Sequence, residues 1–305
     1  MTRTDVWTSA DMPDQDGRRV LITGANSGLG LATATAFAQR GATVILAVRD
    51  TARGQDAADR ILAGHPDARL EVQQTDLSSL TSVRTAAQQI HDRHDRLDVL
   101  INNAGVMWTP ETRTDEGFEL QFATNHLGHF ALTGLLLDLL ERSTAARIVT
   151  VASNGHRAGR INFDDLNATR RYNGQTAYSQ SKLANLLFTY ELQRRLHSTG
   201  RPVEALAAHP GGSATGLTRN APLHMRMLNT VLGPIVTQSP RDGALPVLRA
   251  ATDPRAKGGE YYGPAGLGEM RGRPRRTTSS ARSHDQADAQ RLWAVSETLT
   301  GVLYR

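Results

Sequence analysis

Short runs of apolar residues alternate, along the first two-thirds of the chain, with longer segments in which apolar residues recur at helical spacing. The run TVILAV at residues 43–48 is apolar almost throughout, which is typical of a strand covered on both faces. Runs of this kind predict strands at residues 20–23, 43–48, 70–74, 97–101, 147–152 and 203–208. The segments between them predict helices at residues 29–40, 51–63, 80–94, 125–140 and 178–197.

This repetition of strand, helix and strand determines the expected fold class. We expect an α/β protein: a single doubly wound Rossmann-type domain with a parallel sheet of about seven strands and helices on both faces. The seventh strand is predicted at residues 261–264, and a terminal helix at residues 285–300. Ligands of such sheets bind at the carboxyl ends of the strands, so the residues that follow each strand are the candidates for function.

Two regions do not follow the alternation. Residues 1–16 precede the first strand and form an N-terminal extension, and residues 17–300 form the single domain. Within that domain, residues 271–283 are basic, polar and short of apolar residues, which predicts a mobile loop.

Composition narrows the class of protein further. Of the 305 residues, 39% are hydrophobic and 21% are charged, which is enough apolar material for a core. No run of about 18 apolar residues is present to form a transmembrane helix, and the N-terminus has no apolar signal-peptide core, so we expect a cytoplasmic protein. The chain has no cysteine, which excludes disulfides, thiolate catalysis and cysteine-bound metals.

The basic residues are almost all arginines. Lysine and arginine together number 35 against 30 acidic residues, a net charge of +5, yet only Lys182 and Lys257 are lysines. A solvated, arginine-rich surface explains such a balance, and we expect no nucleic-acid partner. Arginine keeps its proton in proteins, whereas the pKa of a lysine shifts readily, so a lysine in this chain is a candidate for chemistry.

Glycines follow the first predicted strand at the start of the first predicted helix: Gly24, Gly28 and Gly30, in the segment TGANSGLG. Glycine permits the positive φ of a tight turn and lets the backbone approach a pyrophosphate closely. The helix then directs its free N–H groups and the positive end of its dipole at that anion. Glycine turns are common, but this position between a strand and a helix of the series predicts a dinucleotide site.

The spacing G-x-x-x-G-x-G resembles that of the short-chain dehydrogenase/reductase family, and further motifs follow in the family's order. They are the segment NNAG at residues 102–105, Asn125, Ser153, and the segment YSQSK from Tyr178 to Lys182. The segments LAVRD, NHLGHF and RLWAVSETLTG resemble the branch that includes retinol dehydrogenases and relatives of protochlorophyllide reductase. The resemblance implies an NAD(P)-dependent oxidoreductase that transfers hydride between nicotinamide and a small-molecule carbonyl or alcohol.

The same resemblance implies which residues form the site. The implied catalytic group is Asn125, Ser153, Tyr178 and Lys182. The implied cofactor contacts are Gly24, Asn26, Ser27, Gly28, Leu29, Gly30, Arg49, Asp76, Leu77, Asn103, Ala104, Gly105, Tyr178, Lys182, Pro210, Gly211 and Thr215. Residues 212–240 and the insert of residues 154–172 are expected to border the substrate. Relatives often pair through the helices bearing Asn125 and Tyr178, which implies a homodimer or homotetramer.

Tyr178 and Lys182 are four residues apart on a predicted helix, so their side chains share one face. The pKa of a tyrosine is about 10, and lowering it by about two to three units requires about 3–4 kcal/mol. One ammonium at about 4 Å supplies about 4 kcal/mol at an effective dielectric of about 20. We therefore expect Tyr178 to be a general acid/base whose pKa is lowered by Lys182. The resemblance adds that Ser153 polarises the substrate oxygen and that Asn125 kinks its helix and holds a proton-relaying water.

The residues at the end of the second strand distinguish NAD(H) from NADP(H). An acid there binds the free ribose 2′-hydroxyl, whereas an arginine attracts a 2′-phosphate. The resemblance places Val48 at the position of the acid and Arg49 directly after it, so we expect NADP(H) to be favoured over NAD(H). Asp50 is a neighbouring acid, and Ser27 stands where many NADP-preferring members carry a basic residue.

Several alternatives stay open at this level. A dinucleotide-binding regulatory or interaction protein could use the same scaffold, with residues 271–282 binding an acidic partner. Asp76 could contact adenine, as the resemblance implies, or cap the helix that begins near Ser79. His126 and His129 form an H-x-x-H pair, but without a third ligand or a nearby acid we expect no metal.

Overall fold

The computed structural model describes residues 7–212 and 238–304, and within them one eight-stranded sheet has the order β3-β2-β1-β4-β5-β6-β7-β8. The strands are β1 (Arg19–Thr23), β2 (Thr43–Val48), β3 (Arg69–Gln74), β4 (Val99–Asn102), β5 (Ala146–Val151), β6 (Val203–Ala208), β7 (Tyr261–Pro264) and β8 (Pro274–Thr277). Neighbouring strands are parallel except β7 and β8, which are antiparallel. The predicted doubly wound α/β fold is confirmed.

Helices pack on both faces of the sheet. They are α1 (Gly28–Gln39), α2 (Thr51–Gly64), α3 (Leu80–Arg93), α4 (Leu120–Phe122), α5 (Gly128–Leu135), α6 (Leu137–Glu141), α7 (Gly174–Ser198), α8 (Pro240–Thr252) and α9 (Gln286–Thr300). Successive residues of β1 enter opposite cores: Val20 and Ile22 pack with α1 and α8, and Leu21 packs with α3 and α5. Burial on both faces is the reason that these strands are apolar at nearly every position.

The basic segment of residues 271–283 is not the mobile loop that its composition predicts. It contains β8, in which Arg276 lies opposite Tyr262 of β7. Pro274 is buried, and its carbonyl accepts a hydrogen bond from Nη1 of Arg249 at 2.7 Å. An edge strand is paired on one side only and is often protected by charged residues, so it lacks the apolar run of an interior strand. The sheet therefore has eight strands rather than about seven, and the last is antiparallel.

Two predicted helices have different bounds in the structure. The helix predicted at residues 125–140 begins earlier, with α4, and continues as a π-helical segment (Ala123–Leu127), α5 and α6. The helix α7 begins at Gly174, because the side chain of Asn173 caps it by accepting from the N–H of Thr176 at 2.9 Å. Tyr178 consequently lies inside the helix rather than at its start.

The C-terminal helix α9 packs against α7. Trp293 of α9 is 2% exposed, and its ring stacks on Phe188 of α7 with centroids 5.9 Å apart. Residues 177–192 of α7 are all buried. The homodimer or homotetramer stays a prediction.

The described part of the N-terminal extension packs on the core. Trp7 and Met12 are 3% and 2% exposed, and Nη2 of Arg40 donates to the carbonyls of Ser9 and Ala10 at 3.0 and 2.8 Å. Within residues 7–212 and 238–304, no helix has the length and apolar character needed to cross a bilayer. The cytoplasmic location stays a prediction.

Candidate active site

The glycine turn connects β1 to α1 at the carboxyl edge of the sheet. Gly24 and Gly28 have φ of +67° and +53°, in the left-handed region that favours glycine. A Cβ at Gly30 would collide with the carbonyl oxygen of Gly24, and Leu29 is buried beneath the turn. Ser27 is the N-cap of α1, but its side chain makes no capping hydrogen bond, which leaves N–H groups of the first helical turn for a ligand. The turn fits a dinucleotide pyrophosphate.

Thr23, the last residue of β1, joins the ends of β1 and β4. Its hydroxyl oxygen accepts from the backbone N–H groups of Asn103 and Ala104, each at 2.9 Å, and the Asn103 side chain donates to the Thr23 carbonyl at 2.7 Å. Nδ1 of His129 donates to the Asn125 carbonyl at 3.0 Å, so Nε2 accepts from the Thr23 hydroxyl at 2.8 Å. These bonds hold Asn103 and Ala104 beside the glycine turn.

Asn125 lies in the π-helical segment and is fully buried. Its Oδ1 accepts from the N–H of Val106 at 2.8 Å, and its Nδ2 donates to the Val106 carbonyl at 3.0 Å. Nδ2 also donates to the hydroxyl of Ser181 in α7 at 2.9 Å. Single π-helical turns are frequent at functional sites. Here the turn allows one side chain to tie the loop after β4 to the helix that carries Tyr178.

Tyr178, Lys182 and Ser153 meet beside the end of β5. Tyr178 and Lys182 are 8% and 4% exposed. Ser153 lies close enough to the Tyr178 hydroxyl to act on its pKa, and Ser153 Oγ accepts from the N–H of Gly155 at 3.1 Å. Nζ of Lys182 donates to the Val151 carbonyl at 2.9 Å and lies 5.9 Å from the centre of the Tyr178 ring. The structure therefore brings these predicted catalytic side chains into one buried cluster.

Burial determines the protonation of this cluster. It lowers the pKa of Lys182 from 10.5 to about 8, because the ammonium loses its hydration. It raises the pKa of Tyr178 above its usual range, and the hydrogen bond from Ser153 opposes this rise without cancelling it. The expectation that Lys182 alone lowers the pKa of Tyr178 is therefore wrong for the protein by itself. A further positive charge beside the phenol is needed for it to titrate near neutral pH.

Arg49 and Asp50 follow β2 and have different environments. Arg49 is exposed, and its guanidinium makes no hydrogen bond or ion pair with the described residues. Asp50 is the N-cap of α2, and its Oδ1 accepts from the N–H of Arg53 at 3.2 Å. The acid that argued against NADP(H) therefore has a structural role, whereas the arginine is available to an anion.

Asp76 and Leu77 follow β3. Oδ1 of Asp76 accepts from the N–H and the hydroxyl of Ser78 at 2.9 and 2.6 Å. The N-cap of α3 is Ser79, so the interpretation of Asp76 as the helix cap is wrong. Leu77 is 5% exposed and belongs to the core on the α3 side of the sheet.

Pro210 and Gly211 follow β6 at the same edge of the sheet. Gly211 has a φ of +65°, and a Cβ there would collide with the backbone after β7. His209, which precedes them, is fully buried with Nε2 3.1 Å from the carboxylate of Glu269. This contact with His209 lowers the pKa of Glu269 to about 2. The β6 turn is therefore anchored to the segment between β7 and β8.

Among the remaining predicted cofactor contacts, Gly105 borders the catalytic cluster. Asn26 is half-buried in the glycine turn. A Cβ at Gly105 would lie 3.6 Å from Nζ of Lys182, so the loop after β4 reaches the ammonium. Thr215 lies outside the described residues, as do residues 213–237, which are most of the segment predicted to cover the substrate.

Some residues that hold the site are absent from the list predicted from sequence: Thr23, His156 and Glu269. Thr23 directly precedes the first motif glycine, and His156 lies three residues after Ser153, so proximity to a motif could have identified both. His156 belongs to the insert expected to border the substrate, yet it is fully buried in the short helix Asn154–Ala158. Glu269 is not close to any motif in the sequence. Only the fold brings it to the β6 turn.

His126 and His129 have structural hydrogen bonds. Nε2 of His126 lies 2.9 Å from the hydroxyl of Ser296 in α9, and His129 bonds Thr23 and the Asn125 carbonyl as described above. Burial lowers their pKa values to about 3 and about 4, so both rings are neutral at physiological pH. In the part of the chain that the structure describes, no group of three or more histidine, cysteine or acidic residues is arranged to hold a metal.

A family model described as short chain dehydrogenase matches residues 18–225. The chain belongs to this family. Mouse retinol dehydrogenase 14 is 44% identical over 301 residues, which cover 94% of this chain and 87% of that relative. The crystal structure of an uncharacterized protein from Mycobacterium paratuberculosis is 46% identical with a TM-score of 0.82, covering 98% of this chain and 99% of that one. A short chain dehydrogenase from Shigella flexneri, complexed with NADP, is 25% identical with a TM-score of 0.64, covering 81% and 96%.

The predicted family and its retinol dehydrogenase branch are confirmed. This short-chain dehydrogenase is an NAD(P)-dependent oxidoreductase that acts on alcohol or carbonyl groups of small molecules. The uncapped first turn of α1 and the collision that a Cβ at Gly30 would cause fit such a dinucleotide.

Proposed function

We propose that this protein interconverts a carbonyl and an alcohol with NADP(H) as the preferred cofactor and Tyr178 as the general acid/base. The observation that carries the proposal is the buried cluster in which Ser153 lies beside the Tyr178 hydroxyl and the Tyr178 ring lies 5.9 Å from Nζ of Lys182. A hydroxyl pair beside an ammonium can both donate a proton to an oxygen and stabilise the negative charge that remains.

Each side chain of the cluster has a defined part in this chemistry. In the direction of reduction, Tyr178 donates its proton to the substrate carbonyl oxygen, and Ser153 donates a hydrogen bond to the same oxygen. In the direction of oxidation, the phenolate of Tyr178 accepts the proton of the alcohol. Lys182, with a pKa of about 8, stays largely protonated at neutral pH and stabilises the phenolate. The nicotinamide, when bound, supplies or accepts the hydride.

Asn125 completes the proposed proton path. Its carbonyl accepts a hydrogen bond from Nδ1 of His129. We propose that the same carbonyl, whose oxygen has two lone pairs, also binds a water that exchanges protons between Lys182 and bulk solvent. The bonds of the Asn125 side chain with Val106 and Ser181 support this role, because they hold Asn125 against the helix that carries Lys182.

The proposed preference for NADP(H) depends on Arg49. Its exposed guanidinium has no partner among the described residues, whereas the neighbouring Asp50 is engaged in capping α2. A guanidinium forms charge-assisted, often bidentate bonds with a phosphate. The NADP complex of the Shigella flexneri relative supports a 2′-phosphate site in this fold.

NADPH consumption in the presence of carbonyl compounds tests the proposal. The purified protein is mixed with NADPH and a panel of aldehydes and ketones, and the loss of nicotinamide absorbance is recorded with and without each carbonyl. Long apolar aldehydes belong in the panel, because retinol dehydrogenase relatives support an apolar substrate. We expect carbonyl-dependent consumption that is faster with NADPH than with NADH. Tight NADPH binding without turnover of any carbonyl would refute the proposal and favour a dinucleotide-binding interaction protein.

A further inference from the structure

The short helix Asn154–Ala158 follows Ser153 directly, and the ring of its His156 bridges two backbones. Nδ1 lies 2.6 Å from the carbonyl oxygen of Ser153, and Nε2 lies 3.0 Å from the backbone nitrogen of Ser280. A carbonyl only accepts and a backbone N–H only donates. The proton of the neutral ring therefore lies on Nδ1, and Nε2 is the acceptor.

Burial keeps this ring neutral. His156 is fully buried, and the loss of hydration lowers its pKa from 6.5 to about 4. The positive charge of Arg157 and the ring of His209 oppose protonation further, whereas the carboxylate of Glu269 favours it. At neutral pH the ring thus has one donor and one acceptor, which match its two backbone neighbours.

The C-terminal end of the bridge is attached to the same short helix by other bonds. Nη2 of Arg157 donates to the Thr278 carbonyl at 2.8 Å, and Nη1 of Arg282 donates to the Gly159 carbonyl at 3.1 Å. The N–H that His156 accepts therefore belongs to a segment that is itself fixed against residues 154–159. The ring cannot rotate without leaving a buried donor unpaired, which costs about 1–3 kcal/mol.

The other end of the bridge is the residue proposed to polarise the substrate oxygen. Oγ of Ser153 lies beside Tyr178 and accepts from the N–H of Gly155 at 3.1 Å. A Cβ at Gly155 would lie 3.1 Å from the Tyr178 ring, so this turn is in close contact with the phenol. A change in the backbone orientation of Ser153 would therefore move Oγ relative to Tyr178.

We propose that His156 is a positioning residue that orients Ser153: the bond from Nδ1 to the Ser153 carbonyl fixes the direction of the Ser153 hydroxyl towards Tyr178 and the substrate oxygen. The proposal rests on the function proposed above for Ser153 and Tyr178 and adds a residue that acts through Ser153. His156 itself does not contact the reacting atoms.

Substitutions of His156 separate the roles of its two nitrogens. His156→Asn keeps a donor near the position of Nδ1, His156→Gln keeps a polar group near Nε2 only, and His156→Ala keeps neither. We expect kcat to fall by about 10- to 100-fold in the Gln and Ala variants, since a misplacement of about 1 Å can cost about 100-fold. The Asn variant should retain most of the kcat, and the Kd for NADPH should stay within about 2-fold of wild type in all variants, because the cofactor contacts are untouched.

A Ser153→Ala background tests whether the effect passes through Ser153. There, His156→Ala should lower the residual kcat by less than about 2-fold, because two residues of one unit are not additive. His94→Asn is the matched control: this histidine is also buried, 8% exposed, with Nε2 3.1 Å from Glu71, and its loss should leave kcat unchanged. Full kcat in His156→Ala, or an equal loss with and without the Ser153 hydroxyl, would overturn the proposal.

The tautomer of His156 is measurable without turnover. In a protein labelled with ¹⁵N-histidine, the resonances that disappear in His156→Asn should show a protonated Nδ1 and an unprotonated Nε2. If the wild type turns over carbonyls but Nε2 of His156 carries the proton, the role proposed for His156 is overturned and the proposed function is not. No turnover of any carbonyl by the wild type overturns the proposed function, and the role of His156 with it.

Discussion

At position 182, a lysine and an arginine would behave differently, because only the lysine can lose its proton. Lys182 is one of only two lysines among 35 basic residues, and it is buried beside Tyr178. A guanidinium at this position would stay charged at any pH, whereas burial brings the pKa of Lys182 to about 8. The positive charge next to the phenol therefore depends on pH in a range in which enzymes work.

Replacing Lys182 with methionine should stabilise the fold at pH 7. A pKa lowered from 10.5 to about 8 means that the buried ammonium costs up to about 3 kcal/mol, and the lost bond to Val151 offsets about 1 kcal/mol of the gain. The cost is fully present below pH 8 and is relieved towards pH 10.5, because only the unfolded lysine is then still charged. Urea unfolding should show the advantage of the variant at pH 7 shrinking at pH 10. An equal advantage at both would contradict this.

Arg49→Ala should change the choice of cofactor. The loss of a charged hydrogen-bond partner of the 2′-phosphate, of about 1.5–3 kcal/mol, should lower kcat/KM with NADPH by about 10- to 100-fold. The kcat/KM with NADH should change little, so the ratio of the two is the measurement. Arg60→Ala, also an exposed arginine of the same region, is the control and should leave the ratio unchanged. The same ratio in Arg49→Ala and wild type would disprove the assignment.

The turn between β1 and α1 is an element that tolerates little change. Gly30→Ala places a Cβ against the carbonyl of Gly24 and within 3.0 Å of the Asn103 side chain, so the turn must open. We expect the Kd for NADPH to rise by at least about 10-fold, because the N–H groups of α1 lose their alignment with the phosphates. Gly64→Ala is the control, since a Cβ there meets nothing within 4 Å. A Kd for NADPH that nicotinamide fluorescence titration finds unchanged in Gly30→Ala would refute this interpretation of the turn.

The interior strand β2 was predictable from sequence, and the edge strand β8 was not. β2 is buried on both faces, so its run of apolar residues is visible in the sequence. β8 pairs with one neighbour only and exposes Arg275 and Arg276, so its composition resembles that of a loop. The resemblance implied a kink at Asn125, and the π-helical turn lies there, but the form of the turn was not predictable because it depends on bonds to Val106 and to α7.

At the scale of the whole molecule, the segment after β7 contacts the residues that hold the proposed site. Ser280 bonds His156 under Ser153, and the Glu269 carboxylate lies 3.1 Å from His209 at the β6 turn. The N–H of Gly212 donates to the Met270 carbonyl at 2.7 Å. The motif residues could be predicted because their spacing and their order along the sequence identify them. These supports could not, since their partners are distant in sequence and meet only in the folded chain.

Buried histidines should make the fold sensitive to mild acid. Burial lowers the pKa values of His126, His129 and His156 from 6.5 to about 3, 4 and 4. Their contribution to stability is complete above pH 6.5 and is lost as the pH falls towards 4. The reason is that these histidines take up protons at a higher pH in the unfolded chain than in the folded protein. Glu269, with a pKa of about 2, acts only below 4.5, and Glu119, whose pKa burial raises, has the opposite sign.

Urea unfolding between pH 7.5 and pH 5 measures this effect. Each of the histidines should add about 1.4 kcal/mol of lost stability per pH unit once the unfolded form is protonated. His126→Asn should remove one such contribution and flatten the profile. A free energy of unfolding that stays constant from pH 6.5 to pH 5 would contradict the burial of these rings.

The most direct test of the account is to compare turnover and NADPH binding in Tyr178→Phe, with Tyr262→Phe as the matched control outside the catalytic cluster. The account predicts that Tyr178→Phe lowers kcat by about 100- to 10,000-fold, the usual contribution of a general acid/base, while the Kd for NADPH stays close to wild type. Tyr262→Phe should keep its turnover, because that hydroxyl bonds Glu260 rather than Ser153. If Tyr178→Phe keeps more than about a tenth of wild-type kcat, Tyr178 is not the proton donor.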